Sequence, residues 1–171
     1  MLYRDFMDIS LIIAVILGII LDVYLLYFAF KFHILKKRII QDLIKDFNIR
    51  DNHRTFNVFF DTDRNFKKFN KRTNSGYGIL LLNKKELTFI GKRIHLENTS
   101  LYSGNGLIIH FKRNQMFTEW NGFSLLNGLM YWFKIFKNGE SYYFSTDNGF
   151  FRFGSKRNTY NTYKTIKDIY R

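Results

Sequence analysis

The longest hydrophobic run of the chain lies near its N-terminus. Over residues 9–30 only Ser10, Gly18 and Asp22 depart from the apolar residue types. A helix over this run would be roughly 33 Å long, which matches the ~30 Å hydrocarbon core of a bilayer. The apolar region of a cleaved signal peptide is shorter, about 7–15 residues. The pattern therefore predicts a transmembrane helix, with residues 1–8 as a short extracytoplasmic tail.

Helical spacing of apolar residues continues past the predicted span. Residues 31–47 contain no Gly or Pro, and their apolar positions recur every three or four residues: Leu35, Ile39, Ile40, Leu43, Ile44 and Phe47. The opposite face is polar and carries Lys36, Lys37, Asp42 and Lys45. We therefore expect an amphipathic stalk helix over residues 31–47, followed by a turn-rich linker over residues 48–54.

The hydrophobic period changes to two in the rest of the chain. After a loosely alternating segment at 55–61, runs bounded by turn residues predict strands at 76–82, 86–91, 92–98, 106–112, 115–120, 131–137, 140–146 and 149–155. Asn138 and Gly139 supply the positive φ of a tight hairpin turn. The last segment has apolar residues at helical spacing behind Asn158 as a candidate N-cap: Tyr160, Tyr163, Ile166 and Tyr170.

These elements predict one mainly-β domain over residues 55–171, large enough to bury a core. Seven or eight antiparallel strands would be closed by one C-terminal helix, with 20 Phe and 11 Tyr to fill the interior. The predicted fold class is an N-terminal transmembrane α-helix plus a mainly-β (α+β) domain.

The segment "GYGILLLNKKELTFIGKRIHLENTSLYSGNGLIIHFK" resembles the start of GRAM-like and bacterial pleckstrin-homology-like domains, and "YWFKIFKNGESYYFST" looks like their later hairpin. The resemblance covers residues 76–170. It implies an antiparallel barrel closed by the C-terminal helix, and a module that binds lipid headgroups or proteins beside a membrane. It also implies a basic site around Lys84, Lys85, Lys92 and Arg93. The turn holding the first two is only about three residues long, which disfavours a wrapped inositol phosphate.

The charge distribution around the span predicts its orientation. Lys31, Lys36, Lys37 and Arg38 follow the span, whereas Arg4 alone precedes it. The positive-inside rule therefore places the C-terminal domain in the cytoplasm and the protein in the cell membrane as a single-pass chain. The absence of cysteine agrees with a reducing compartment.

The formal net charge of the chain is +13, and its excess of positive charge lies after the span. Residues 1–35 carry two basic and three acidic residues, or −1, which leaves +14 for residues 36–171. Such a domain suits an anionic membrane surface, and nucleic acid is the less favoured partner. A Lys-rich composition without a specific anionic partner is the alternative. The residues assigned to anionic-surface binding are Lys36, Lys37, Arg38, Lys67, Lys68, Lys71, Arg72, Lys84, Lys85, Lys92 and Arg93.

Two of these basic clusters have other interpretations. Residues 36–38 also suit a simple stop-transfer signal. Residues 64–72 interleave basic side chains with Phe66 and Phe69, which suits a membrane interface or stacking on RNA. They equally suit a strand or loop whose two rings pack inward while the charges are solvated.

Small and polar residues form a stripe along the predicted span. Ser10, Ala14, Gly18 and Asp22 recur every four positions. Small residues at this spacing let helices approach closely, and a polar side chain among them can hydrogen-bond across the contact. The stripe predicts a helix interface with a second copy or another membrane protein. The alternative is that Asp22 is tolerated, at a cost of ~2.5–3.5 kcal/mol.

No catalytic or metal-binding constellation is found in the sequence. His33, His53, His95 and His110 are scattered, and no Cys accompanies them. We therefore predict no cofactor and a non-enzymatic binding or scaffold module at the cytoplasmic membrane surface. The alternatives are a small regulatory or accessory subunit of a larger membrane protein, transport or toxin system, and a nucleic-acid-binding protein.

Overall fold

In the computed structural model the N-terminal helix is continuous through the predicted span and stalk. The structure describes residues 2–49, 54–62, 76–97, 100–124, 130–147, 149 and 156–170. Helix α1 runs Leu2–Asp46 without a break. It ends in a Schellman motif, in which the amide of Ile49 donates to the carbonyl of Ile44 at 3.1 Å and Asn48 has a φ of 47°. The helix therefore stops beside the turn-rich segment at residues 48–54.

Seven strands form one antiparallel sheet among the described residues. They are β1 (Arg54–Thr62), β2 (Gly76–Leu82), β3 (Glu86–Glu97), β4 (Ser100–Lys112), β5 (Met116–Ser124), β6 (Met130–Lys137) and β7 (Glu140–Thr146). A short 3-10 helix, Arg113–Gln115, joins β4 to β5. The order across the sheet is β4-β3-β2-β1-β7-β6-β5, so β4 and β5 are its outer strands. Helix α2, Lys156–Tyr170, follows β7.

The segments 86–91 and 92–98 form one strand, not the two that the sequence predicts. Strand β3 continues through both and pairs with β4 along its length. A bulge between Lys92 and Ile94 shifts the register of this pairing. A bulge interrupts the alternation of side chains without ending the strand, which explains why the pattern resembled a break.

Strands β4 and β5 are longer than predicted. β4 begins at Ser100 and β5 continues to Ser124, because their polar and glycine residues still form ladder hydrogen bonds with a neighbouring strand. The predicted strand at 149–155 lies outside the described residues, apart from Gly149.

The sheet curls around one of its faces. The ring centroids of Phe111 on β4 and Phe144 on β7 are 6.0 Å apart, although three strands lie between β4 and β7. In a flat sheet, four steps of about 4.8 Å would separate these strands by roughly 19 Å. The result is a half-barrel with an aromatic interior. Helix α2 packs into it with the buried residues Thr159, Thr162, Tyr163, Ile166 and Tyr170.

Two glycines let β2 and β3 approach closely. Gly78 and Gly91 are direct cross-strand partners. A Cβ atom added to Gly78 would lie 2.2 Å from the carbonyl oxygen of Ile90, well inside van der Waals contact. This pairing therefore requires a residue without a side chain at position 78.

The second half of α1 covers part of the opposite, convex face of the sheet. Phe32, Ile39 and Leu43 are buried there. The sheet residues of this cluster are Phe59, Tyr77, Ile79, Ile90, Ile94, Met130, Trp132 and Tyr143. Burying one such helix side chain contributes about 1.5–3 kcal/mol, so this half of α1 is held firmly on the domain.

Residues 9–27 of α1, which we call the apolar half, take no part in this packing. Its large apolar residues from Ile9 to Tyr27 are 50–65% exposed. In the described part of the chain, α1 is the one helix that is long and apolar enough to cross a membrane. The structure thus confirms the coarse prediction of an apolar N-terminal helix, an antiparallel β domain and a C-terminal helix.

Candidate functional site

A lysine lies in the middle of the buried face of α1. Lys36 falls between Phe32 and Ile39 on the side that packs against the sheet, and its side chain is 2% exposed. The sequence pattern placed it on the solvated face of the stalk and among the residues for anionic-surface binding. The structure places it in the interior instead, because its ammonium group has partners there.

Two acceptors from the segment after β7 bind the ammonium group of Lys36. Nζ donates to Oδ1 of Asp147 at 2.7 Å and to the carbonyl oxygen of Gly149 at 2.5 Å. The amide of Asp147 donates to the carbonyl of Asn57 on β1 at 2.9 Å. Gly149 has a φ of 101°, a conformation that glycine adopts readily. The chain after β7 is thus shaped to present two oxygens to the helix.

Tyr77 on β2 completes this group of side chains. Its hydroxyl donates to Oδ2 of Asp147 at 2.5 Å, so both carboxylate oxygens of Asp147 accept a hydrogen bond. Burial, together with the neighbouring Asp147 carboxylate, raises the pKa of the Tyr77 phenol. The phenol therefore stays protonated and remains a donor. We call Lys36, Tyr77 and Asp147 the junction cluster.

Aromatic rings surround the ammonium group of Lys36. Nζ lies 5.4 Å from the ring centre of Phe59 and 5.7 Å from those of Phe32 and Tyr77. A cation at this range is attracted by the face of a ring. The carboxylate, the carbonyl and the rings together offset the cost of removing the charge from water.

Helix α1 crosses the sheet along one row of cross-strand partners. Phe59 on β1 pairs with Tyr77 on β2, which pairs with Lys92 on β3. Phe32 and Lys36 both contact Phe59. Lys36 also contacts Tyr77, and further along the helix Asp42 pairs with Lys92. Because such a row runs perpendicular to the strands, α1 lies across them and passes from β1 towards β3 as it leaves the apolar half.

The junction cluster is suited to fixing the helix and not to reacting with a substrate. Its ionised groups are bonded to each other, and the side chains of Lys36 and Asp147 are 2% and 9% exposed. No nucleophile or general base in it faces solvent. Its chemical role is therefore to hold α1 in one position on the sheet.

The remaining basic residues assigned to anionic-surface binding are dispersed. Lys37 and Arg38 are exposed on α1, and Arg93 is exposed on β3. Lys92 is half-buried and pairs with Asp42 at 3.2 Å, so its charge is compensated. Outside the described residues lie Lys67, Lys68, Lys71 and Arg72.

An open cleft of about 530 Å³ lies beside the turn between β2 and β3. Lys84 and Lys85 are exposed in this turn. The cleft is lined by Lys85, Glu86, Lys112, Arg113, Asn114 and Tyr170. The structure thus brings Lys112 and Arg113, which the sequence pattern does not single out, next to Lys85. Lys112 and Arg113 lie near Lys85 because β4 pairs with β3. The spacing of residues within one strand does not predict this pairing.

The hydroxyl of Tyr170 fixes the wall of this cleft. Its oxygen lies 2.5 Å from the carbonyl oxygen of Asn83 and 2.6 Å from that of Glu86, so its single O–H is shared between them, and it accepts from the Asn83 amide at 3.1 Å. Burial raises the pKa of the Tyr170 phenol. The C-terminal end of α2 is therefore tied to the β2–β3 turn.

The four residues of the predicted helix-contact stripe lie on the exposed half of α1. Ser10, Ala14, Gly18 and Asp22 all face outward from this chain. A Cβ atom added to Gly18 would meet no atom within 4 Å. The surface at Gly18 is thus open to a second helix.

The two histidines on described strands are not brought together. His95 on β3 pairs with Tyr102, and His110 on β4 pairs with Thr88. Thr88 and His95 are seven positions apart on β3, so the two histidines are separated by about 23 Å along the strands. No group of three or more His, Cys, Asp or Glu that could hold a metal occurs in the described residues.

The sequence contained one signal for the junction cluster. Lys36 follows Phe32 by four positions and precedes Leu43 by seven, so it shares a helix face with two buried residues. A charged residue at such a position needs a buried partner. The identity of that partner, Asp147, could not be read from spacing, because the fold alone brings it there.

The chain matches no protein-family model, no curated protein and no solved structure. Its function is therefore inferred from the junction cluster, the exposed apolar half of α1 and the basic cleft.

Proposed function

We propose that this protein is a non-enzymatic, membrane-anchored binding or scaffold module that acts at the cytoplasmic membrane surface. The observation that carries the proposal is the continuity of α1. The large apolar side chains of the helix are exposed from Ile9 to Tyr27, and one face of the helix is buried against the sheet from Phe32 to Leu43. A span of this kind holds the β domain directly against the membrane, in one orientation, without a flexible tether.

The pleckstrin-homology-like arrangement is part of this proposal. It is supported by seven antiparallel strands that curl into a half-barrel and by a single C-terminal helix packed inside. Domains of that kind bind lipid headgroups or proteins beside membranes. The tight turn at 83–85 favours a protein or a diffuse anionic surface over a wrapped phosphorylated headgroup. The basic cleft beside Lys85 and Arg113 is the candidate contact.

The cytoplasmic orientation is supported by the side chains that follow the apolar half. Lys31, Lys37 and Arg38 are exposed there. Basic residues next to a span favour the cytoplasmic side, and each contributes about 1 kcal/mol of attraction to an anionic leaflet.

A fractionation and topology experiment on the full-length chain tests this proposal. The chain is expected to stay in membranes during alkaline carbonate extraction and to keep its N-terminal segment by mass spectrometry. A reporter fused after Arg171 is expected to be active as a cytoplasmic fusion. A shortened, extractable chain would identify the apolar segment as a cleaved signal sequence. An extracytoplasmic reporter would overturn the orientation.

A second function, accessory subunit of a larger membrane protein, is favoured by one observation. Asp22 lies on the exposed apolar half of α1, one helical turn from Gly18. A carboxyl group inside the bilayer costs about 2.5–3.5 kcal/mol, and a hydrogen bond to another helix would offset part of this cost.

A further inference from the structure

The β domain begins almost where the apolar half of α1 ends. Phe30 is 54% exposed, whereas Phe32 is 4% exposed and stacks on Phe59 of β1. Two residues of helix rise about 3 Å. The headgroup layer on one side of a bilayer is about 5–7 Å thick, half the difference between the full bilayer and its hydrocarbon core. Strand β1 therefore lies at the level of the headgroups when α1 spans the membrane.

The strand order then determines which part of the sheet lies on the membrane side. Moving away from the span, α1 meets β1, then β2, then β3. In the sheet, β7, β6 and β5 follow β1 in the opposite direction. Because the sheet curls away from α1, the exposed part of its convex face over these three strands, beyond the buried Met130, Trp132 and Tyr143, turns towards the bilayer.

This face carries an exposed aromatic patch on β5 and β6. Phe117 pairs with Phe136, and Glu119 pairs with Lys134. These residues alternate with interior ones, such as Ile135, and so lie on the convex face. Phe117 is 64% exposed, more than any other large apolar residue described outside α1. We call Phe117, Glu119, Lys134 and Phe136 the β5–β6 patch.

The contacts within the patch give it an interfacial character. The rings of Phe117 and Phe136 are 5.9 Å apart, and Nζ of Lys134 lies 4.7 Å from the ring centre of Phe136. Nζ of Lys134 also pairs with Oε2 of Glu119 at 2.9 Å. The patch thus combines exposed rings with one compensated ion pair, and it carries no net charge.

We propose that the β5–β6 patch rests in the headgroup layer of the bilayer that α1 crosses. Aromatic rings and the aliphatic stem of lysine are stabilised at such an interface, where one end is apolar and the other hydrated. The contact depends on burying Phe117 and not on anionic lipid, since the charges of the patch are already paired. This inference rests on the proposed membrane anchoring and adds the face with which the domain meets the membrane.

Site-directed spin labelling of the full-length chain tests this inference. The chain contains no cysteine, so single-cysteine variants accept one nitroxide each. Phe117→Cys is compared with Ile108→Cys, a 47% exposed position on β4 at the other edge of the same face. Glu119→Cys repeats the measurement with Phe117 in place. In zwitterionic nanodiscs, labels at 117 and 119 are expected to be several-fold less accessible to a water-soluble nickel complex than the label at 108.

Equal accessibility of the three labels would overturn the proposal. Protection of the label at 117 that appears only when anionic lipid is added would also overturn it, since that variant keeps the pair of Glu119 with Lys134 and its patch has no net charge. A label at Leu17→Cys, in the apolar half of α1, separates this result from a failure of anchoring. If that label is shielded from nickel while those at 117 and 119 are not, the anchor holds and the docking face is wrong. If it is accessible to nickel, the proposed membrane span itself fails.

Discussion

Nζ of Lys36 lies 2.7 Å from Oδ1 of Asp147, although 111 positions separate the two residues in the chain. One belongs to the helix that carries the apolar span, and the other follows the last strand of the sheet. Their ion pair therefore ties α1 to the segment that follows β7. Any tilt of α1 relative to the sheet has to break this buried contact.

Removing the lysine should destabilise the domain strongly. Lys36→Met leaves the Asp147 carboxylate buried without its cationic partner, which is expected to cost about 3–5 kcal/mol. The free energy of unfolding of the β domain is measured by denaturant titration of tryptophan fluorescence in the full-length protein. Lys37→Met, an exposed neighbour on the same helix, is the control and should change it by less than about 0.5 kcal/mol. Equal effects of the two substitutions would show that the ion pair contributes nothing specific.

A double substitution distinguishes lost pairing from lost packing. Lys36→Met combined with Asp147→Leu removes both charges, so no unpaired ion is left in the interior. The combined loss of stability is expected to be smaller than the sum of the two single losses. Strictly additive losses would mean that the two side chains act independently, contrary to the 2.7 Å contact.

The hydroxyl of Tyr77 should make stability sensitive to alkaline pH. The pKa of this phenol is raised in the folded protein by burial and by Asp147. In the unfolded chain it ionises near pH 10. The stabilisation is therefore complete below about pH 10 and is lost as the pH rises above that value, because only the unfolded state then releases the proton.

Tyr77→Phe is the matching variant for this pH dependence. It removes a hydrogen bond to a charged group, at a cost of about 1.5–3 kcal/mol near neutral pH. The free energy of unfolding should then fall less steeply above about pH 10 than it does in the unsubstituted chain. Tyr160→Phe, which removes the hydroxyl of a 46% exposed tyrosine, should change neutral stability by less than about 0.5 kcal/mol. An unchanged alkaline slope in the Tyr77 variant would contradict the assignment.

The helices were the most predictable part of the fold, because apolar residues that recur every three or four positions lie on one face of a helix. Tyr163, Ile166 and Tyr170 of the C-terminal helix are buried as their spacing indicates, whereas Tyr160 is 46% exposed. In α1, Ile39 and Leu43 are buried, but Ile44 is 44% exposed. The apolar stripe of the stalk is broader than the part of it that the sheet covers.

The pairing within the junction cluster and the composition of the cleft were not predictable, since both depend on tertiary proximity. Lys36 was assigned to the solvated face from its residue type, although its position lies on the buried side. Asp147 directly follows strand β7, outside any helix or strand, where a carboxylate is ordinarily solvated. The cleft joins Lys85 to Arg113 through the pairing of β3 with β4. Spacing along one element carries no information on either relationship.

The glycine pair between β2 and β3 gives a prediction about stability. Gly78→Ala would place a Cβ atom 2.2 Å from the carbonyl oxygen of Ile90, and this obstacle is backbone and not a mobile side chain. The two strands would have to separate, at a cost of about 1–3 kcal/mol or more. Gly106→Ala on β4 is the control, because its Cβ would enter open space. The melting temperature of each variant is measured by thermal unfolding, and Gly78→Ala is expected to have the lower one. Similar melting temperatures would rule out the close approach of β2 and β3 at Gly78.

The stripe on the apolar half of α1 predicts how the span associates. Gly18→Ile adds a side chain where a second helix would approach, so it should weaken association of the protein in membranes. Asp22→Leu should also weaken association, although it makes insertion easier by a few kcal/mol. Leu21→Ile, away from the stripe, is the control and should leave association unchanged. Association is measured by energy transfer between labelled full-length chains at fixed protein-to-lipid ratios.

A heterologous partner would give a different pattern from self-association. In that case energy transfer is absent in every variant, and Gly18→Ile instead removes one membrane protein that co-purifies with the unsubstituted chain. The accessory-subunit function would then replace the homo-oligomer as the reason for Asp22. If Asp22→Leu improves insertion and neither association nor co-purification changes in any variant, the carboxyl group is merely tolerated. The four-residue spacing of Ser10, Ala14, Gly18 and Asp22 would then have no role in assembly.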